Sequence, residues 1–135
     1  MDFLKPPSWA PPKGYAYGVV ATGRLVFLGG LIGTDPSGRL ADGGFVGQAR
    51  RTLENIVAVL AEAKASPDCI VRMTWYVVDK RQYLAASREL GQVYRDIIGR
   101  HYPAMSVVEV SALLEDGALV EIEATAVLPI SAASK

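Results

Sequence analysis

The stretch Pro103–Pro129 limits what this chain can fold into more than any other part of it. Two runs in it alternate with a period of two around the turn signal Glu115-Asp116-Gly117, the pattern of two half-buried strands joined as a hairpin. In the first run Ser106, Val108, Val110 and Ala112 share one face, and Met105, Val107, Glu109 and Ser111 the other. In the second run Val120, Ile122, Ala124 and Ala126 line one face, and Leu119, Glu121, Glu123, Thr125 and Val127 the other. Each strand thus offers a small apolar face that suits helix packing and a face that carries carboxylates. Pairing the two runs collects Glu109, Glu121 and Glu123, which repel one another unless water or cations intervene. That face is the first place to seek function.

The rest of the chain supplies what such a hairpin needs. Residues 1–14 are proline-rich and read as an extended arm, with Trp9 available to pack it onto the body. Tyr15–Ala21 and Leu25–Gly30 are short strand candidates separated by the tight-turn signal Thr22-Gly23, and Gly29, Gly30 and Gly33 break the end of the second. Phe45, Ala49, Leu53, Ile56, Leu60 and Ala63 recur at helical spacing and predict a helix over Phe45–Lys64. Ile70–Val78 reads as a strand with Val71, Met73, Trp75 and Val77 on one side and Arg72, Thr74, Tyr76 and Val78 on the other. A second helix is predicted over Arg81–Arg100, with Gly91 inside it at a cost of about 1 kcal/mol against alanine. Residues 130–135 form a polar tail, and 1–135 read as one domain.

Strand, strand, helix, strand, helix, strand, strand is an α+β order, a mixed sheet with two helices packed on one face. The other face is then uncovered. It carries Arg72, Thr74, Tyr76, Glu109, Glu121 and Glu123 among Val78, Val107 and Val127, too apolar for plain surface and too charged for a core. Burial against sister chains resolves this, with Arg72 as the natural counter-ion of the glutamates.

Composition narrows the function. Lysine plus arginine equal aspartate plus glutamate at 14 each, so the basic surplus of a nucleic-acid surface is missing. The single cysteine, Cys69, rules out an internal disulfide and fits a reducing, cytoplasmic setting. No signal-peptide core or membrane-length apolar run is present, and no zinc spacing, P-loop, dinucleotide fingerprint or nucleophile elbow.

Several segments in order carry a family resemblance: Gly33–Gly38, Gln48 with Leu53-Glu54-Asn55, Ile70–Thr74, Pro103-Ala104 with Val108-Glu109-Val110, and Val120–Ala124. Together they resemble the reactive-intermediate deaminase (Rid, or YjgF) family, over about Tyr15–Pro129. The resemblance implies a chorismate-mutase-like α+β fold and a homotrimer with a small-molecule cleft at each subunit interface, and no cofactor or metal. Deaminating members of that family hydrolyse imines and enamines, 2-aminoacrylate among them. Their arginine grips the substrate carboxylate through a two-pronged hydrogen bond, and a glutamate holds the attacking water.

Carried over by position, the water-holding glutamate is Glu121. The pocket tyrosine is Tyr15, with Tyr17 as a possible stand-in, and the serine-glycine pair of the family becomes Gly29-Gly30. The arginine position is Met105 and a frequent cysteine position is Val107. Methionine cannot bind a carboxylate, so the resemblance implies the fold and the water site without the usual clamp. Each assignment has a plainer counterpart. Glu121 can pair with Arg72, Met105 can fill the core, Tyr15 and Tyr17 can pack the first strand, and Glu109 and Glu123 can be structural partners of the same ion pairs. His101 can be a base or a helix-end residue, and Cys69 a buried thiol. Two functions follow: hydrolysis of a small imine- or enamine-like metabolite, or non-catalytic binding by a regulatory trimer. A ribonuclease reading conflicts with the charge balance.

Overall fold

In the computed structural model, which describes residues 1–130, six strands and three helices follow one another: β1 (Asp2–Leu4), β2 (Gly18–Val20), β3 (Arg24–Leu31), α1 (Gly44–Glu62), β4 (Ile70–Val77), α2 (Lys80–Ala85), α3 (Ser87–Ile97), β5 (Ala104–Glu109) and β6 (Val120–Leu128). The predicted tail Ser131–Lys135 lies outside the described residues. β3, β6, β4 and β5 form a four-stranded sheet in that order, while β1 and β2 pair separately. The proline-rich arm therefore begins with a strand, and the pair of β2 is β1 rather than β3 across Thr22-Gly23.

The hairpin expected at Pro103–Pro129 is not formed. Glu115-Asp116-Gly117 does turn, closed by the Ala118 N–H on the Glu115 carbonyl at 3.1 Å. Yet β4 lies between the two runs, antiparallel to β6 and parallel to β5. The long connection between β5 and β6 is what allows the separation, since a tight hairpin would force them together. Met105, Val107 and Glu109 sit opposite Met73, Trp75 and Val77 in the parallel ladder and so share their face. That is the helix face. The expected face of β5 is thereby inverted: Met105 and Val107 turn toward the helices, and Ser106 and Val108 turn away.

The core lies between this sheet face and the helices. Leu53, Ile56 and Leu60 of α1 meet Met73 and Val77 of β4 and Val120, Ile122 and Ala126 of β6, all essentially inaccessible. The predicted stripe of the first helix and the inward residues of β6 are as expected. The second predicted helix is divided at Ala86 into α2 and α3. On the opposite sheet face Leu25 and Phe27 are exposed beside Arg72, Thr74, Tyr76, Glu121 and Glu123. No described helix is long and apolar enough to cross a membrane.

Candidate functional site

Glu121 and Gly30 come together on the outer sheet face. A Cβ built on Gly30 would lie 2.8 Å from Cδ of Glu121, so only glycine leaves room for the carboxylate against the β3 backbone. Gly29 beside it has open space. Glu123, one pleat along, accepts from the Tyr76 hydroxyl at 2.5 Å, and this bond to a carboxylate is the main reason the Tyr76 pKa is raised. Arg72 lines the same shallow depression as Phe27, Thr74 and Glu123 but has no carboxylate within ion-pair distance among the described residues. The expected Arg72–glutamate pairing is thus replaced, within one protomer, by Tyr76–Glu123.

Glu109 departs from its expected company. It sits at the far end of β5 and accepts from the Lys80 N–H at 2.9 Å, while Asp79 accepts from the Arg81 N–H at 2.9 Å. Both carboxylates cap the exposed start of α2, a structural use.

A second cluster forms on the other side of the sheet. The Ala16 N–H bonds the Pro103 carbonyl at 2.9 Å and a parallel bridge joins Ala16 to Ala104, which lays residues 14–16 along the free edge of β5. Tyr15, Met105, Val107, Tyr83, Lys13 and Gly14 consequently line one hollow of about 280 Å³. Tyr17 meets the Tyr15 ring edge-on at 5.6 Å but does not line the hollow: its hydroxyl donates to the Ala10 carbonyl at 2.8 Å and its ring meets Trp9 edge-on at 4.9 Å, so it ties down the arm. A larger hollow of about 380 Å³ adjoins the first, sharing Lys13, Gly14, Tyr83 and Met105 and adding Trp75, Leu90, Tyr94, Arg95 and Tyr102.

The site residues read from the sequence therefore fall into two groups on opposite faces: Tyr15, Met105 and Val107 on one, Gly29, Gly30 and Glu121 on the other. Sequence reasoning missed Lys13, Trp75, Tyr83 and Arg95. Trp75 alternates with apolar residues along its strand and Tyr83 shares helical spacing with Leu90 and Tyr94, both patterns of core residues, and nothing in the sequence places Lys13 or Arg95 beside Met105, because the juxtaposition depends on the arm and on the end of α3. His101 is structural: Nε2 lies 2.6 Å from the Ile70 carbonyl and Phe3 meets its ring edge-on. Cys69 is half-buried rather than fully enclosed.

The layered α+β protomer with its mixed sheet is the fold of a known class of proteins. The family described as Endoribonuclease L-PSP, the Rid/YjgF family, matches residues 7–128, and this chain belongs to it. A RutC family protein of Pyrococcus abyssi is 35% identical over 116 residues, 85% of this chain and 87% of that protein. The human 2-iminobutanoate/2-iminopropanoate deaminase is 30% identical over 117 residues, covering 85% of this chain and 82% of the enzyme. Among solved structures, a Rid family protein of unknown function from Yersinia pestis superposes with a TM-score of 0.82 at 32% identity, over 94% of this chain and 98% of the other.

Proposed function

We propose that this protein hydrolyses a small imine- or enamine-like metabolite at clefts between subunits of a homotrimer. The observation that carries the reading is the division of the site. Glu121 and its Gly30 cradle lie on one sheet face, and Tyr15, Met105 and Val107 lie on the other, against the edge of β5. No single protomer can bring both groups to one substrate; a neighbouring chain can. Its exposed Phe27 and Leu25 give the outer face a reason to be covered. Homology to 2-iminobutanoate/2-iminopropanoate deaminases supports the reaction class.

In this cleft Glu121 holds and deprotonates the water that attacks the imine carbon, and returns the proton to nitrogen. The resulting carbinolamine passes its hydroxyl proton to nitrogen through the same carboxylate, the C–N bond breaks, and ammonia leaves as the carbonyl forms. Tyr15, Met105 and Val107 shape the substrate side. Met105 offers dispersion and no positive charge, so 2-iminopropanoate lacks at position 105 the two-pronged grip that an arginine provides. Gly29 borders the water side. The charge balance continues to oppose nucleic acid as the substrate, whatever the family is called. The reading also places the protein in the cytoplasm, where imines from amino-acid metabolism arise.

Ammonia release from freshly generated 2-iminopropanoate tests this. The expected rate is slow, lost in Glu121→Ala, and raised about tenfold or more in Met105→Arg, which restores a charge-assisted clamp. Fast turnover indifferent to Met105→Ala defeats the reading of position 105. Ligand binding without turnover of any imine, unaffected by Glu121→Ala, favours a regulatory binding trimer, for which the replaced arginine is the supporting observation.

A further inference from the structure

The larger hollow contains groups that the hydrolytic reading does not use. Its volume of about 380 Å³ lies in the range of small-ligand sites. Trp75, Tyr83, Tyr94 and Tyr102 line it together with Leu90 and Met105. Tyr94 and Tyr102 stack with ring centroids 5.5 Å apart, and Trp75 meets Tyr83 edge-on at 5.9 Å. Such walls favour a flat apolar body.

Two cations reach the same hollow, Lys13 from the arm and Arg95 from α3, and no carboxylate lines it. Among the described residues neither cation has an acidic partner, and the Arg95 guanidinium makes one long hydrogen bond, Nη2 donating to the Gln92 Oε1 at 3.4 Å. Arg95 is half-buried and folds back along its own helix: a Cβ on Gly91 would lie 3.3 Å from its Nη1. The mid-helix glycine, a cost in propensity, therefore leaves room for the guanidinium on the wall of the hollow.

The third observation is an unanswered donor. Trp75 is 3% exposed, and its indole N–H is the buried side-chain polar group without a partner among the described residues. Leaving such a donor unpaired costs about 1–3 kcal/mol. The Tyr94 hydroxyl, by contrast, is satisfied by the His101 carbonyl at 2.6 Å. Aromatic walls, two cations without acidic partners and an orphan donor all call for a flat molecule with one anionic end.

We infer that this hollow binds an aromatic monocarboxylate, its ring between Tyr83, Tyr102 and Met105 and its carboxylate on Arg95 and Lys13. The guanidinium fork matches a carboxylate with two parallel bonds, and Lys13 adds a point charge from the exposed side. An oxygen acceptor brought in by the ligand, directly or through a water, supplies the partner Trp75 lacks. The site is built within one protomer and does not depend on the trimer or on Glu121, although it borders the hydrolytic cleft at Met105.

Titration calorimetry of the full chain with 3-phenylpropanoate tests it. The expected result is saturable binding that weakens about tenfold or more when the ring is removed (propanoate) or the charge is removed (3-phenylpropanamide). Arg95→Met and Lys13→Met each weaken it by a similar factor while leaving the thermal midpoint in place, since neither side chain belongs to the buried core. Trp75→Phe, which deletes the N–H and keeps a smaller aromatic ring in place, weakens it severalfold. Equal affinity for the amide or for propanoate, or binding untouched by both cation variants, overturns the inference. Tighter binding of phenyl phosphate overturns the choice of carboxylate. The readout is heat of binding, so its failure leaves the ammonia-release result standing, and the converse holds as well.

Discussion

Two glycines show how differently a single missing Cβ can matter. At Gly30 an added methyl meets the far end of Glu121, a flexible side chain that can swing aside. At Gly33 it meets the backbone of α1, 2.5 Å from the Gln48 carbonyl oxygen and 2.9 Å from its Cα, where nothing can yield without moving the helix. Gly30→Ala is therefore expected to fold with a thermal midpoint close to wild type, yet to lose Glu121-dependent ammonia release because the carboxylate is displaced. Gly33→Ala is expected to lose about 1–3 kcal/mol of stability from overpacking. Paired thermal melts and activity assays of the two variants check this. Retained turnover in Gly30→Ala would remove Glu121 from the water-holding role, since the site could not then need its carboxylate where the glycine leaves it.

At the scale of elements, the alternation in Ala104–Glu109 and Val120–Leu128 reveals strands but not their neighbours. Period two identifies which residues of one strand share a face; it carries no information about which strand lies beside it. The inward face of β6 was legible because Val120, Ile122, Ala124 and Ala126 are uniformly small and apolar. The face of β5 was not, because Met105 and Val107 are no less suited to a core than Val108 and Val110, and the parallel register to β4 decides between them. Lys13 and Arg95 were illegible because the docking of the arm on β5 and the end of α3 bring them beside Met105. What separates β5 from β6 is anchored by a residue that pattern alone does not flag: Gln48 of α1, 5% exposed. Its Nε2 donates to the Gly117 carbonyl at 2.9 Å and its Oε1 accepts from the Leu119 N–H at 2.8 Å, fixing the turn to the helix. Gln48→Ala strands both backbone groups in a half-buried place and is expected to cost about 2–4 kcal/mol in urea-induced unfolding. A loss below about 0.5 kcal/mol would mean that water replaces the amide and that the loop is held by its apolar residues.

For the whole molecule, the unpartnered face of the sheet sets the question. Phe27 is 73% exposed, Leu25 59% and Val108 41%, grouped on one side of the sheet with Arg72, Tyr76, Glu121 and Glu123. A lone protomer would leave this surface in water although several of its side chains each gain about 1.5–3 kcal/mol when buried. Arg72, without a carboxylate partner among the described residues, is available to one from a neighbour, which would offset part of the cost of enclosing the glutamates. In the proposed assembly a rotationally closed trimer would cover this face on every chain at once and would set the Glu121 of one protomer against the Tyr15–Met105 hollow of the next. Sedimentation velocity is accordingly expected to give about three times the chain mass of 14.4 kDa at micromolar concentration. Phe27→Lys places a charge on this exposed face without touching the core of the protomer. It is expected to shift the species to monomer and, in parallel, to abolish Glu121-dependent ammonia release while each chain stays folded. A monomer in the unmodified protein, or a Phe27→Lys monomer that still turns over an imine, would show that the two halves of the site never need to meet. The glutamate on the outer face would then have to act without the hollow that holds Met105.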